Sequence, residues 1–365
     1  MMPYWLLLLV LSFGSIIFRG RNAVDYGGSV AIDHQLRRNV PLLAALVAIC
    51  LMIGFRYKVG GDWKVYSYSF NLIKGWPLPI ALRRSPDEIG YTLVNWLVGQ
   101  VGAEIWLVNL VCAIPFVVGL ASIARLQPNP WLALAAAAPL FIIVVGMGYT
   151  RQATAAGFML IALAGLSRGR GFWWFLGWTL VGSLFHQSIL VFIPIIPVFL
   201  FRISAFSVLL IAVALVIGYF VILPHALERY SIGYINQIYL AKGAIFRIVP
   251  NALTAAMLLA FRRQFAAPPV ELKIWRGFAY LALAIFAAFF FIPSTVILDR
   301  LSIYVLPLQF WVWSRLPTAF GHQRQPNIIL TLLVIAYSAA CLGLWLAFAN
   351  HSRYWIPYQL YPLWQ

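Results

Sequence analysis

A chain of 365 residues with 63% apolar, 16% aromatic and only 10% charged side chains, and a mean hydropathy of +0.89, has too little polar surface for a soluble globule, where about a quarter of residues are charged. Many cations of its formal net charge of +17 flank apolar stretches; membrane orientation and anionic headgroups account for them there, which excludes nucleic-acid binding as the default. Continuous Leu/Ala/Ile-rich runs without period-two alternation exclude a β-barrel. What remains is an all-α, polytopic integral membrane protein of about 12 spans at ~20 residues each, forming a single domain over residues 1–365.

In chain order, spans are expected near 3–18, 40–55, 104–124, 131–149, 152–167, 171–185, 187–201, 203–223, 248–261, 277–292, 296–314 and 327–349. Met1 to Phe18 has the length of a signal peptide, but it lacks a basic start and Arg19 and Arg21 follow it, so it reads as a retained first span. Several runs are short, which calls for tilt or local thinning of the bilayer. Ile89 to Val101 is apolar yet too brief to cross, and belongs at the interface or in a re-entrant helix. Cys50, Cys112 and Cys341 lie apart within apolar runs, without paired or metal-type spacing, and read as core residues.

With the N-terminus outside, the compact basic clusters SRGRG (167–171) and FRR (261–263) all fall on the inside. The outside then carries two long segments, 56–103 and 224–247, which mix acids, cations and aromatic residues. No internal repeat divides the chain.

The first long segment begins RYKVGGDWKVYSYSF (56–70). Gly60-Gly61 permits a tight turn that brings backbone N–H groups and Asp62 toward a ligand; alternatively, Trp63 and Tyr66 anchor the segment in the aromatic belt. In SPDEIGYTLVN (85–95), Asp87 and Glu88 form a carboxylate pair, while Ser85 or Asp87 is equally suited to capping the following helix. Arg151, in GMGYTRQATA (146–155), either snorkels to the interface or binds phosphate at a helix start. His186, in SLFHQSIL, is either a satisfied helix-end residue or a general base. Arg247 opens a span, and Asp299 and Arg300 lie within another; as sequence neighbours they need different partners, while Arg300 and Tyr304 share a face at i and i+4. Arg56, Arg151, Arg247 and Arg300 all fall on the outer side, where four guanidinium forks suit a diphosphate. Internal pairing that neutralises buried charge is the other reading of that group.

This order of motifs, Arg56 with Gly60-Gly61-Asp62 and a following tyrosine, E-x-G-Y-x-L-x-N from Glu88, Arg151-Gln152, Phe185-His186, Arg247 and D-R-x-x-x-Y from Asp299, resembles the EpsG family of Wzy-like polysaccharide polymerases. The resemblance covers roughly 56–310, and the aromatic tail WIPYQLYPLW is also similar. The usual family sequence RxxxGTDYxxY is altered here, with Gly61 and Trp63 at the Thr and first Tyr positions, while Arg56, Asp62 and Tyr66 stay aligned.

The resemblance implies a glycosyltransferase of GT-C-like architecture with a periplasm-facing cavity, in the bacterial inner membrane. The donor is a growing glycan on undecaprenyl diphosphate and the acceptor is the sugar end of another lipid-linked repeat unit, with no cofactor and no metal required. A chain-length regulator and a flippase are the candidate protein partners. Leaving-group charge assigns Arg151, Arg247 and Arg300 to a diphosphate clamp, with Arg56 completing it or orienting Asp62. His186, Glu88 and Asp62 are the candidate bases, and Trp63, Tyr66, Asp299 and Tyr304 the candidate glycan contacts. Competing readings are an O-antigen-ligase-like transferase, a flippase of lipid-linked oligosaccharide and an O-acetyltransferase. A flippase predicts polar groups through the membrane depth and related halves.

Overall fold

The computed structural model describes residues 1–18, 40–200, 243–292, 296–321 and 326–361, with isolated positions at 209, 212, 213 and 216. The expected span 203–223 and the second outside segment up to residue 242 therefore lie outside the described residues. Among the described residues there is no strand, and the elements are helical throughout, apart from a single antiparallel bridge between Arg56 and Leu360.

The helices, in chain order, are α1 (Met2–Ile17), α2 (Val40–Gly54), α3 (Trp63–Ile73), α4 (Leu78–Arg84), α5 (Ile89–Gln100), α6 (Ile105–Ala124) and α7 (Pro130–Ala137). A π-helical stretch, Ala138–Gly146, continues α7. Then come α8 (Thr150–Ser167), α9 (Phe172–Ser183), a 3-10 turn (Gln187–Val191) and α10 (Phe192–Leu200). The rest are α11 (Ile245–Ala260), α12 (Pro269–Ala288), α13 (Val296–Val305), α14 (Pro307–Ala319) and α15 (Ile328–Phe348).

Among the described residues, two helices, α6 and α15, are long and apolar enough by themselves to cross a membrane; several others are apolar but shorter. Outward faces carry large apolar side chains, among them Leu6, Leu9 and Phe13 on α1 and Leu333 and Phe348 on α15, each more than half exposed. A contiguous apolar exterior of this kind is suited to lipid. The protein is a helical membrane protein.

Three boundaries differ from those expected. The span expected at 277–292 begins earlier, at Pro269, because Pro268-Pro269 supplies a preorganised first turn and Glu271 sits at its positive end. The run expected at 296–314 breaks at Leu306-Pro307, since proline offers no N–H to continue the ladder. The run expected at 187–201 opens as a 3-10 turn with His186 as its N-cap.

The scaffold that positions the polar end of the molecule is the parallel pair α6 and α8. A Cβ on Gly119 would lie 2.1 Å from the Gly157 carbonyl oxygen, and one on Gly157 would lie 2.5 Å from that of Pro115. The two backbones touch, as small residues allow in membrane helices. The contact sets register: Thr150 bonds Asn109 at 3.3 Å, and Thr154 Oγ1 donates to the Cys112 carbonyl at 3.1 Å. Both helices therefore start at the same end of the bundle.

Candidate active site

The site is assembled from helix termini. α2 ends and α6, α8, α11 and α13 begin at this end, so residues far apart in sequence converge on the turn Tyr149 to Gln152. That turn follows Gly146-Met147-Gly148, and Gly148 must be small because the Trp355 ring lies where its Cβ would be.

Arg151 stands in the first turn of α8. Its Nη1 meets Asp87 Oδ1 at 2.8 Å and Glu88 Oε2 at 2.6 Å, with side-chain exposures of only 12%, 2% and 11% respectively. The carboxylate pair is spent on this arginine rather than on capping: α5 starts after Glu88 with no side-chain cap bond, and Ser85 Oγ instead bonds Thr92 at 2.7 Å and accepts the Asp87 N–H. The rings of Tyr66 and Tyr91 flank the guanidinium at 5.9 and 6.0 Å. Asp87 Oδ2, Arg151 Nε and Tyr91 Oη are buried without a hydrogen-bond partner. Three such atoms around one ion pair depart from the near-complete satisfaction of ordinary interiors.

A second pair lies across the same turn. Arg247, in the first turn of α11, donates from Nε to Asp299 Oδ1 at 2.8 Å and lies over the Tyr149 ring at 5.5 Å. Asp299 pairs with Arg247 rather than with its neighbour Arg300, and Gln152 Nε2 ties α8 to this helix through the Arg300 carbonyl at 2.9 Å. Arg300 is half-buried one turn from Tyr304.

His186 lies where α9 gives way to the 3-10 turn. Its Nδ1 accepts the Ser188 backbone N–H at 3.3 Å and sits 2.6 Å from Ser188 Oγ, which in turn is 3.0 Å from the Tyr304 hydroxyl. The Leu184 carbonyl accepts the Gly90 N–H at 2.8 Å, which fastens this segment beside the start of α5 and Glu88.

Several expectations change. Arg56 is 1% exposed and donates to the Ile53 carbonyl, to Asn109 Oδ1 at 3.0 Å and to Thr150 Oγ1 at 2.6 Å. Through its two Nη groups it knits α2, α6 and α8 together rather than bonding Asp62, while its Nε is buried without a hydrogen-bond partner. The Gly60 N–H, expected to face a ligand, donates to the Tyr354 carbonyl at 2.9 Å. Trp63, Tyr66 and Tyr304 are 9%, 4% and 0% exposed. Their rings pack on Tyr57, Tyr91 and Phe192, so these faces are occupied by protein. Burial pushes the Tyr66 phenol upward and Asp62 adds to this, so it stays protonated and donates to Asp62 Oδ2 at 3.4 Å. Asp299 serves Arg247.

Asp87, Tyr91 and Gln152, which stand in the motifs without an assigned role there, complete the arrangement together with Tyr149 and Ser188. Ser188 lies two residues from His186, and Tyr149 is brought in by packing alone.

Two arginine–carboxylate pairs and a half-buried arginine thus gather around one helix start. The EpsG family model matches residues 39–360, nearly the whole chain. The chain belongs to the EpsG family. Membership points to a polysaccharide polymerase-like role for this membrane protein. No curated protein and no solved structure matches it.

Proposed function

We propose that this EpsG-family protein is a polysaccharide polymerase that moves a growing glycan from undecaprenyl diphosphate to a sugar hydroxyl of an incoming lipid-linked repeat unit. In this reading the reaction takes place on the periplasmic face of a bacterial inner membrane, at the end of the bundle that bears Arg151 and Arg247. The observation that carries the reading is Arg151 held by Asp87 and Glu88 amid buried polar atoms without partners. In this reading the Glu88 carboxylate occupies a position that a phosphate oxygen takes when donor binds.

In the transfer, the bond between the sugar anomeric carbon and the diphosphate oxygen breaks, and undecaprenyl diphosphate leaves with the electron pair. The acceptor hydroxyl oxygen forms the new bond and loses its proton to a base. Arg151, Arg247 and Arg300 stabilise the departing charge, which a preorganised, water-poor site does at little reorganisation cost. Diphosphate binding to Arg151 releases Glu88, the more exposed of its two carboxylates, and Glu88 becomes the base only when donor is present. Asp87 stays with the arginine and keeps it oriented.

The test uses purified protein in nanodiscs with its own undecaprenyl-diphosphate repeat unit, products being resolved as a ladder. The expected result is a ladder from the wild type that Arg151→Ala and Arg300→Ala lose. Movement of intact lipid-linked units across vesicles without elongation would replace this reading with a transporter, and capping of a different acceptor with a ligase-like transferase.

A further inference from the structure

We propose that Gln152 and Asn251 are positioning residues: gripping the backbone of α13 from two sides, they set the spacing between Arg151 and Arg247 and make the site selective for a lipid diphosphate over a lipid monophosphate. The inference rests on the polymerase reading for its ligand, and on hydrogen bonds to two backbone carbonyls for its geometry.

Each of these arginines is accompanied by an amide. Gln152 directly follows Arg151 in the first turn of α8, and Asn251 lies at i+4 from Arg247 on α11, hence on the same face. Gln152 Nε2 donates to the Arg300 carbonyl at 2.9 Å, and Asn251 Nδ2 donates to the Ser302 carbonyl at 3.0 Å. Both acceptors belong to α13. Two residues along a helix is a rotation of about 200°, so α8 and α11 hold α13 from nearly opposite sides. The helix bearing Arg151 and the helix bearing Arg247 are thereby tied to one element between them.

The sequence of α13 explains why it needs such a grip. The helix has 10 residues, and Pro307 supplies no N–H to carry its ladder into α14. A helix this short has little stability of its own. The apolar packing of Leu298 and Ile303 is non-directional, whereas a hydrogen bond to a carbonyl fixes rotation and sliding as well.

The sense of the Asn251 bonds follows from the same carbonyl. It only accepts, so Nδ2 faces Ser302 and Oδ1 faces Gln309, whose Nε2 donates to it at 2.8 Å. Gln309 Oε1 accepts from the Tyr337 hydroxyl at 3.4 Å, which anchors the grip in α14 and α15. Gln152, Asn251 and Gln309 are all buried, so water competes little for these bonds. On α13, Asp299 stands three residues before Ser302, and its carboxylate holds Arg247. The Asn251 bond is a second rung beside that ion pair.

A diphosphate presents two phosphoryl groups at a fixed separation and gains from two guanidinium forks only where their spacing matches. A monophosphate engages one fork and is indifferent to the spacing. Slack in α13 therefore weakens diphosphate binding selectively.

The experiment measures binding of undecaprenyl diphosphate and of undecaprenyl phosphate to wild type, Gln152→Met and Asn251→Leu in nanodiscs. These substitutions keep side-chain size and remove the donor. The wild type is expected to prefer the diphosphate. Each variant is expected to lose diphosphate affinity by about tenfold or more, the size of one charge-assisted hydrogen bond, with monophosphate affinity about unchanged. Gln309→Met, which only frees the Asn251 amide to turn, serves if Asn251→Leu fails to fold, and is expected to show a smaller loss of the same kind. Equal losses for both lipids, or a lower melting temperature with both affinities kept, would assign these residues a general structural role and overturn the proposal.

Hydrogen exchange supplies a measurement that needs no ligand. The variants are expected to speed exchange of the α13 amides while α6 and α8 exchange as in the wild type; unchanged exchange in α13 refutes the grip itself. The polymerase reading fails separately. A wild type that makes no ladder, yet prefers diphosphate through Gln152 and Asn251, sinks polymerisation and leaves this inference standing, whereas a wild type without that preference sinks the inference.

Discussion

Arg151 and Arg247 show how a charge acquires a meaning that its own position does not give it. Arg247 is buried and Arg151 largely so, and each faces at least one carboxylate supplied by a distant segment of the chain. Removing one partner of such a pair leaves an uncompensated charge and costs about 3–5 kcal/mol, so Asp299→Asn is expected to lower the melting temperature as well as activity, measured by thermal unfolding in detergent. Arg151→Lys keeps the charge but loses the planar fork. It is expected to fold and still lose about a hundredfold or more in turnover in the ladder assay, as expected where a guanidinium stabilises developing charge. Glu88→Gln and Asp87→Asn separate roles: the first is expected to abolish elongation with donor affinity retained, the second to weaken donor binding. Equal effects of both on binding would assign Glu88 to orientation rather than to proton removal.

At the scale of elements, helix ends are held by devices far from the chemistry. The C-terminal segment acts as a clasp. Tyr361 N–H donates to the Phe55 carbonyl at 2.7 Å and Tyr57 N–H to that of Gln359 at 2.9 Å, while Trp355 Nε1 donates to Ile143 at 2.9 Å. These bonds fix the chain on either side of Arg56 and the approach to Tyr149. Truncation after Phe348 is expected to leave the helices inserted but to remove activity, and protease sensitivity of the 56–103 segment is the measurement that shows the loosening. Gly60 belongs to the same device. Its φ of +106 is one that other residues rarely adopt, and a Cβ would lie 2.5 Å from the Met147 carbonyl oxygen. Gly60→Val is expected to cost more than the ~1–2 kcal/mol of left-handed strain alone, seen as a lower melting temperature.

Across the whole molecule there are two polar ends separated by α6 and α8. At the far end Arg315 bonds Glu271 at 2.8 Å, Gln127 at 2.9 Å and the carbonyls of Leu126 and Ala266 at 3.0 and 2.9 Å. This cluster is buried and satisfied, unlike the one around Arg151. With α6 spanning about 30 Å at 1.5 Å per residue, the two clusters are separated by about the thickness of a bilayer's hydrocarbon core, and the proposed reading sets them on opposite sides of it. Single cysteines at Lys64 or Arg83 are therefore expected to react with an impermeant thiol reagent from the periplasm, and one at Arg262 only after permeabilisation. The reverse pattern would place the candidate site on the cytoplasmic side.

The amino-acid sequence by itself determined that the chain is helical, that it belongs in a membrane and which family it enters, because uninterrupted apolar runs and the order of polar motifs between them are one-dimensional properties. It also brought Arg151, Arg247, Glu88, His186 and Asp299 into view, since charged and imidazole groups among apolar runs stand out whatever they touch. Tertiary structure alone decided their partners. Asp87 and Glu88 meet Arg151 across more than sixty residues, Asp299 chooses Arg247 over its neighbour Arg300, and Arg56, indistinguishable from the others by pattern, is sealed among Ile53, Asn109 and Thr150. The aromatic residues that seemed free to meet a glycan are packed on one another for the same reason. A sequence pattern reports what a side chain is able to bond, whereas the crossing of α6 on α8 at Gly119 and Gly157 fixes which groups come within reach.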